Sequence, residues 1–259
     1  MTDSDKKNYL FLLGGGTLFG LYVLYIYGPI PQCQSYMEFA DKDKMLGIEN
    51  AFDVISNFPF LLVGLLGLKK ISQSETLKIE HENLISYQLF FLALVLMTFG
   101  SVYFHLSPSN DTLFWDRLPM GVSFMALVSI VIGEFFSASK GRASLIPLQL
   151  ISIMSVSYWL YTESIEASDL RFWVFIQFYP MILIIFLLMK FPLKYTHKIG
   201  YWWVLGLYAL AKVFELYDKE VFDLLSHKVS GHTLKHLIAG IGVYILLITF
   251  EKRRAIPTN

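Results

Sequence analysis

The sequence predicts an all-α integral membrane protein, a helical bundle with eight transmembrane segments. Three observations lead there. Hydrophobic residues make up 55% of the 259-residue chain and charged residues only 16%, where a soluble domain carries about 25% charged residues. Eight stretches are almost free of Asp, Glu, Lys and Arg, and a helix needs about 20 mostly apolar residues to cross about 30 Å of hydrocarbon. These stretches are apolar all round, without the period-two alternation of a membrane β-strand. Lipid also requires each segment to satisfy its own backbone hydrogen bonds, which favours helices.

The first stretch, residues 8–37, has its apolar core at 9–27 and is ended by Gly28-Pro29-Ile30-Pro31. It is longer than the apolar part of a signal peptide and no small-residue cleavage pattern follows, so it reads as an uncleaved span. The second stretch is 54–68 and the third 83–110. The fourth is 118–133, extendable to Phe136, and the fifth is 143–162. The sixth is 172–189, and the seventh, 199–211, continues past Lys212 and Glu215 to Tyr217. The eighth is 236–250, starting near His232. Connectors such as 69–82, 137–142 and 190–198 are too short for a soluble domain.

Charge and cysteine usage narrow the function. Net charge is zero, with 21 basic and 21 acidic residues, which offers no basic surface to nucleic acid. One cysteine, Cys33, excludes an internal disulfide framework and a Cys-based zinc cluster. A transition metal would therefore fall to the six histidines and the carboxylates. With eight spans, one side holds Lys6, Lys7, Lys69, Lys70, Lys78, Lys140, Arg142, Lys190, Lys194, Lys198, Lys252, Arg253 and Arg254. The other holds Lys42, Lys44, Arg171, Lys219 and Lys228. The basic excess marks the cytosolic side, so both termini are expected in the cytosol.

Ionisable residues inside spans are costly and mark pairs or functional sites. Ser101 and His105 lie four apart, on one helical face, and His232 and His236 repeat that spacing. In the assigned orientation these four and Asp116 all fall at the outer ends of their spans, although none of them entered the charge count. Three His with an open position suit catalytic zinc, which activates water near neutral pH. Asp116 could take the water's proton and Ser101 could bond the water or the oxyanion. That chemistry is hydrolysis of an amide or ester in a lipid-like substrate. The plainer readings are structural: HxxxH is common, and His105 with Asp116 could form an interhelical hydrogen bond. His81, His197 and His227 lie in connectors and read as solvated.

Ser101-x3-His105, Asp116 eleven residues on, and His232-x3-His236 resemble the alkaline ceramidase family. That family belongs to a superfamily of seven-helix membrane hydrolases and receptors. Ser56-Asn57-Phe58-Pro59-Phe60, opening 56–68, and Leu118-Pro119-Met120 also look familial, and the resemblance covers residues 49–250. It implies His105, His232 and His236 as zinc ligands, with Asp116 and Ser101 against the zinc-bound water. The implied reaction is hydrolysis of a ceramide-like N-acyl lipid, drawn from the bilayer, to a long-chain base and a fatty acid.

The chain then divides into an extra span with an outer acidic loop, 1–48, and a seven-helix core, 49–259. Family members also carry an acidic calcium site before the core. Here that stretch holds Glu38, Asp41, Asp43, Glu49, Asn50 and Asp53, but the family's pattern does not map onto it. A Ca2+ ion and a solvated acidic loop both remain open. Lys212 and Glu215 are expected as an intrahelical pair that could also line the cleft. Tyr158 and Tyr161 are candidate cleft residues, or interfacial belt residues like Trp202 and Trp203. Three rivals to a ceramidase stand: hydrolysis of another N-acyl or ester lipid, a receptor-like sensor with a structural metal, and a histidine-box iron enzyme. The last needs more His than this chain has. Oligomeric state is not readable.

Overall fold

In the computed structural model, which describes residues 3–45, 47–73 and 76–257, the chain is built of helices. They are α1 (Asp3–Tyr27), α2 (Ala51–Ile55), α3 (Phe58–Ser72), α4 (Leu84–Leu106) and α5 (Asn110–Phe135). Then come α6 (Ala138–Ser164), α7 (Arg171–Lys190), α8 (Ile199–Leu216), α9 (Asp218–Leu224) and α10 (Gly231–Lys252). Short 3-10 turns at Gln34–Met37 and His81–Asn83 complete the order, and no strand occurs among the described residues. Seven helical segments are long and apolar enough to cross a membrane, and they match the second to eighth expected spans. The first expected span is the helix α1, of which residues 3–10, 12 and 13 are described in backbone only.

The expected third and fourth spans are divided differently. An uncharged stretch was expected to run to Asn110, but α4 ends at Leu106 and α5 begins at Asn110. The break is a capping box: the Ser109 hydroxyl accepts from Thr112 N at 3.2 Å, and Ser109 N donates to Thr112 Oγ1 at 3.0 Å. Charge counting cannot see such a turn because Ser and Thr carry no charge. Asp116 and Arg117 consequently stand in the second turn of a buried helix, not at the foot of a connector, and both are over 90% buried.

Helix α5 lies at the middle of the bundle, flanked by α4, α6 and α7; α3 and α10 pack together on the far side of α4, and α8 lies along α10. Helices α7 and α8 scarcely touch. Helix α1 sits outside this core on α7, where the Thr17 hydroxyl meets the Tyr179 hydroxyl at 2.6 Å. The core between helices is apolar, with Phe91, Leu94, Leu113, Ile130 and Ile184 almost fully buried. Outward faces are apolar too: Ile146, Leu150 and Met154 on α6 are all more than half exposed. In water such a stripe would be a liability; in lipid it is the expected surface.

A polar cluster ties down the end of the bundle opposite the histidines. Glu134 accepts from Tyr87 and Tyr201, each at 2.7 Å, and from Arg253 Nη2 at 2.6 Å. Arg253 Nε donates to Lys78 O at 2.7 Å. Both charges are fully buried, so one residue from each of α4, α5, α8 and the C-terminal end is locked to the others.

Candidate metal centre

His105 lies in the last turn of α4, and His232 and His236 stand one turn apart at the start of α10. Their ring centroids are 4.7 Å apart for His105–His232, 5.2 Å for His105–His236 and 4.9 Å for His232–His236. One nitrogen from each lies within 4.8 Å of the others, and all three residues are buried. Among the described residues no other three His, Cys, Asp or Glu converge in this way. His81, His197 and His227 are exposed, as expected.

Hydrogen bonds around the trio decide which nitrogens are free. The Ser56 hydroxyl donates to Asp53 O at 3.1 Å and lies 2.8 Å from His236 Nδ1. With its proton given to the carbonyl, it accepts from Nδ1–H. That arrangement goes with the tautomer in which Nε2 of His236 is the lone-pair nitrogen, the usual support for a metal-binding histidine. His105 Nδ1 is buried without a hydrogen-bond partner, a costly state that a bound cation would relieve. Lys235 Nζ lies 2.7 Å from His232 Nε2 and 3.2 Å from Glu215 Oε1. Lys235 can therefore release the imidazole to a metal without losing its carboxylate. A set of three imidazoles with such backing suits zinc, among other divalent transition metals.

The short helix α2 and the loop before it hold the trio in place. Asn50 Nδ2 donates to His105 O at 2.8 Å. Asp53 Oδ1 accepts from Ser230 at 2.9 Å and Thr233 at 2.6 Å, while Ser230 caps α10 by accepting from Thr233 N at 2.9 Å. Asp218 accepts from His232 N at 2.7 Å and Ala40 N at 2.9 Å. Gly231 makes this fit possible, because a Cβ there would strike Phe214 O and Asp218. The Phe39 ring covers the site, 4.5 Å from the His105 ring and 5.0 Å from that of His232.

The expected reading of the acidic stretch needs correcting at two residues. Glu38, Asp43 and Glu49 are exposed, as a solvated loop would have them, but Asp41 and Asp53 are buried. Asp41 accepts from the backbone amides of Asp43, Phe52 and Asp53. Three of the four oxygens of these two acids are thus committed to building the loop and capping α10.

Asp116 and Ser101 are brought together by a close crossing of α4 and α5. Pro119 has no N–H to give the carbonyl of Trp115 four residues earlier. Gly100 packs against that carbonyl so closely that a Cβ would overlap it. The neighbours of that contact, Ser101 on α4 and Asp116 on α5, are thereby held at the same crossing. Both face a cavity of about 350 Å³ that His236 also lines. The cavity passes down the bundle between Phe90, Leu94, Met97, Leu127 and Leu246. From Ser101 to Phe90 on α4 is about 16 Å at 1.5 Å per residue. Its wall includes residues of α7 and α8, the pair that scarcely touch.

Lys212 and Glu215 form the expected ion pair and line the cavity. The Tyr36 hydroxyl donates to Glu215 Oε1 at 3.1 Å. Burial, reinforced by the Glu215 carboxylate, holds Tyr36 well above the usual phenol range, so it stays a donor. Tyr158 and Tyr161 do not line the cavity. Helix α6 turns Ser152, Ser155, Val156, Trp159 and Thr162 inward, and the two tyrosines fall off that face. Tyr158 donates to Asp169 at 3.0 Å, and Tyr161 is 62% exposed.

Sequence reasoning passed over several contributors. Ser56 appeared only within a familial run and Asp53 only as a loop acid; Arg117 and Lys235, inside or at the edges of spans, stayed out of the charge count, and Asp218 was not singled out. Arg117 and Lys235 did carry a signal, since each is a cation inside an apolar segment beside a candidate site residue. The partners of Ser56, Asp53 and Asp218 lie at least 14 residues away, and spacing gave no sign of them. Searches of protein-family models and of curated proteins return no match for this chain.

Proposed function

We propose that this protein is a zinc-dependent membrane hydrolase that cleaves the linear amide of a ceramide-like N-acyl lipid to a long-chain base and a fatty acid. The observation that carries the reading is the convergence of three buried histidines, one of which, His236, lines the same apolar cavity as Asp116 and Ser101. The resemblance to alkaline ceramidases agrees with it. In this reading α1 is an eighth span, both termini are cytosolic and the site lies near the non-cytosolic face.

His105, His232 and His236 would hold the zinc, which when bound supplies a Lewis acid and an activated water at neutral pH. Asp116 takes the proton of the attacking water and delivers it to the leaving nitrogen, contributing on the order of 10²- to 10⁴-fold. Ser101 donates to the carbonyl oxygen as it gains negative charge. The apolar cavity receives the acyl chain, entering from the bilayer between α7 and α8. Buried walls exclude bulk water and strengthen each of these interactions.

The test pairs elemental analysis of the purified protein with fatty-acid release from a panel of N-acyl and ester lipids. His232→Ala should lose zinc and turnover together, and Asp116→Asn should keep zinc and lose turnover. Normal turnover by metal-free His232→Ala would overturn the proposal. Intact zinc with no lipid cleaved would favour a sensor instead.

A further inference from the structure

The cavity beside Asp116 has one depth on every wall that runs its length. On α4 the lining residues extend from Ser101 to Phe90, on α5 from Asp116 to Leu127 and on α10 from Lys235 to Leu246, eleven positions each. The walls from α7 and α8 repeat that span and end at Met181 and Val204. At a rise of about 1.5 Å per residue, eleven positions are about 16 Å. The cavity is therefore a shaft with a level bottom. Its depth is about that of one leaflet, half of a hydrocarbon core about 30 Å thick.

The next turn of these helices closes the bottom. Tyr87, Val131, Tyr201 and Phe250 follow Phe90, Leu127, Val204 and Leu246, and none of the four is more than 1% exposed. The Tyr87 ring meets the Phe250 ring edge to face at 5.4 Å. Tyr87, Tyr201 and Arg253 are in turn bonded to the buried Glu134. A chain end could pass this level only by breaking a charged cluster, at a cost far above the gain from burying a few more methylenes. The side is barred near the bottom as well. One turn above Met181 and Val204, the Tyr208 hydroxyl on α8 donates to Gln177 O on α7 at 3.4 Å, and Phe124 packs on the Tyr208 ring at 5.7 Å. Passage between α7 and α8 is thereby left to the half nearer the histidines.

A fully extended acyl chain advances about 1.25 Å per carbon, from C–C bonds of about 1.5 Å and near-tetrahedral angles. We propose that the shaft measures the acyl chain of the N-acyl lipid, admitting one saturated chain of about 12 to 14 carbons and penalising longer ones. Phe90, Leu127 and Leu246 set the limit as length-determining residues, and the Glu134 cluster beneath holds them in place. This deepens the hydrolase reading and rests on it for the claim that the chain belongs to a substrate; the length limit on binding needs no turnover.

The test uses the full chain in neutral detergent, both zinc-loaded and chelator-stripped. The probes are N-acylethanolamines, neutral single-chain amides, with saturated chains from octanoyl to eicosanoyl. Affinities are expressed per mole fraction in detergent, so that partition into micelles cancels. The stearoyl probe should bind about tenfold or more weakly than the lauroyl one, the order of penalty for overfilling a packed site, and the limit should survive metal removal. Gly242 lines the shaft one turn above Leu246, and a Cβ there would meet only Leu207, at 3.6 Å. Gly242→Leu should raise the bottom by about 5.4 Å and lower the limit by about four carbons, weakening lauroyl and sparing octanoyl binding. Phe90→Leu should move the limit the other way and tighten palmitoyl binding. Elution profile and octanoyl affinity report folding; if Gly242→Leu fails them, Phe90→Leu carries the test. Stearoyl binding within about twofold of lauroyl in the wild type overturns the proposal, as does an unchanged limit in a folded Gly242→Leu or in Phe90→Leu. A length limit on binding with no amide cleaved would sink the hydrolase reading alone. Cleavage of stearoyl and lauroyl amides at equal rates, with equal affinities, would sink only this one.

Discussion

Replacing Ser56 with Ala removes one oxygen and leaves all three candidate ligands in place. In the wild type, His236 Nδ1–H has a single good acceptor, Ser56 Oγ at 2.8 Å; the next neighbour, Asn57 Nδ2 at 3.5 Å, is itself a donor. Without the hydroxyl, the tautomer that presents Nε2 to a metal must keep a buried N–H unsatisfied, at about 1–3 kcal/mol. Loss of an outer partner of a metal-binding histidine weakens metal affinity by about 10- to 100-fold, or about 1.4–2.7 kcal/mol. The two routes agree in size. Ser56→Ala should therefore raise the zinc Kd by about 10- to 100-fold, read by competition against a chromophoric chelator on purified protein. Ser56→Thr keeps the acceptor and should recover most of the affinity. A Kd for Ser56→Ala within about twofold of wild type, with the fold intact, would show that Ser56 does not orient a metal ligand.

Three further outcomes are expected. Gly100→Ala puts a methyl group into the Trp115 carbonyl, which cannot rotate away. It should cost about 1–3 kcal/mol of stability and depress turnover by parting Ser101 from Asp116; an unchanged melting midpoint would contradict the close crossing. Glu134→Leu strands the buried Arg253 and should destabilise by about 3–5 kcal/mol, while adding Arg253→Met should restore most of the loss. A double variant no more stable than the single one in thermal unfolding would refute that account. Asp169 lies outside the spans. Burial alone would raise its carboxyl, but hydrogen bonds from Arg171, Tyr158 and Ile30 N outweigh burial and hold it below the usual range. A depressed folded value stabilises above the unfolded value of about 3.9 and is lost as pH falls through the folded one. The stability gap between wild type and Asp169→Asn should thus close below about pH 4; a constant gap down to pH 2 would argue against it.

Much of this organisation follows from local chemistry that a linear sequence displays. Lipid demands apolar segments with closed backbone hydrogen bonds, so composition and run length alone indicate helices and place seven of them. Basic residues count connectors, and that count put His105, Asp116 and His232 at one depth before any packing was known. The capping box at Ser109 is also written in the sequence, yet a search for charges passes over it.

Which groups meet, and in what protonation geometry, was decided only by the tertiary fold. Tyr158 and Tyr161 sit at a suitable depth, but rotation about α6 turns them from the cavity, and rotation is set by packing against α5 and α7. Asp53 and Asp41 look like solvated loop acids until distant donors, Ser230, Thr233 and backbone amides, claim them. Ser56 orients His236 across 180 residues of chain, a contact with no local signature. The sequence by itself determined the solvent, the helices and the end of the bundle where polar groups gather, because those depend on each segment's own transfer free energy. Only the structure decided that a cavity lies beside Asp116 and Ser101 and that His236 opens on it. Those are properties of surfaces assembled from several helices, and they exist in no single one.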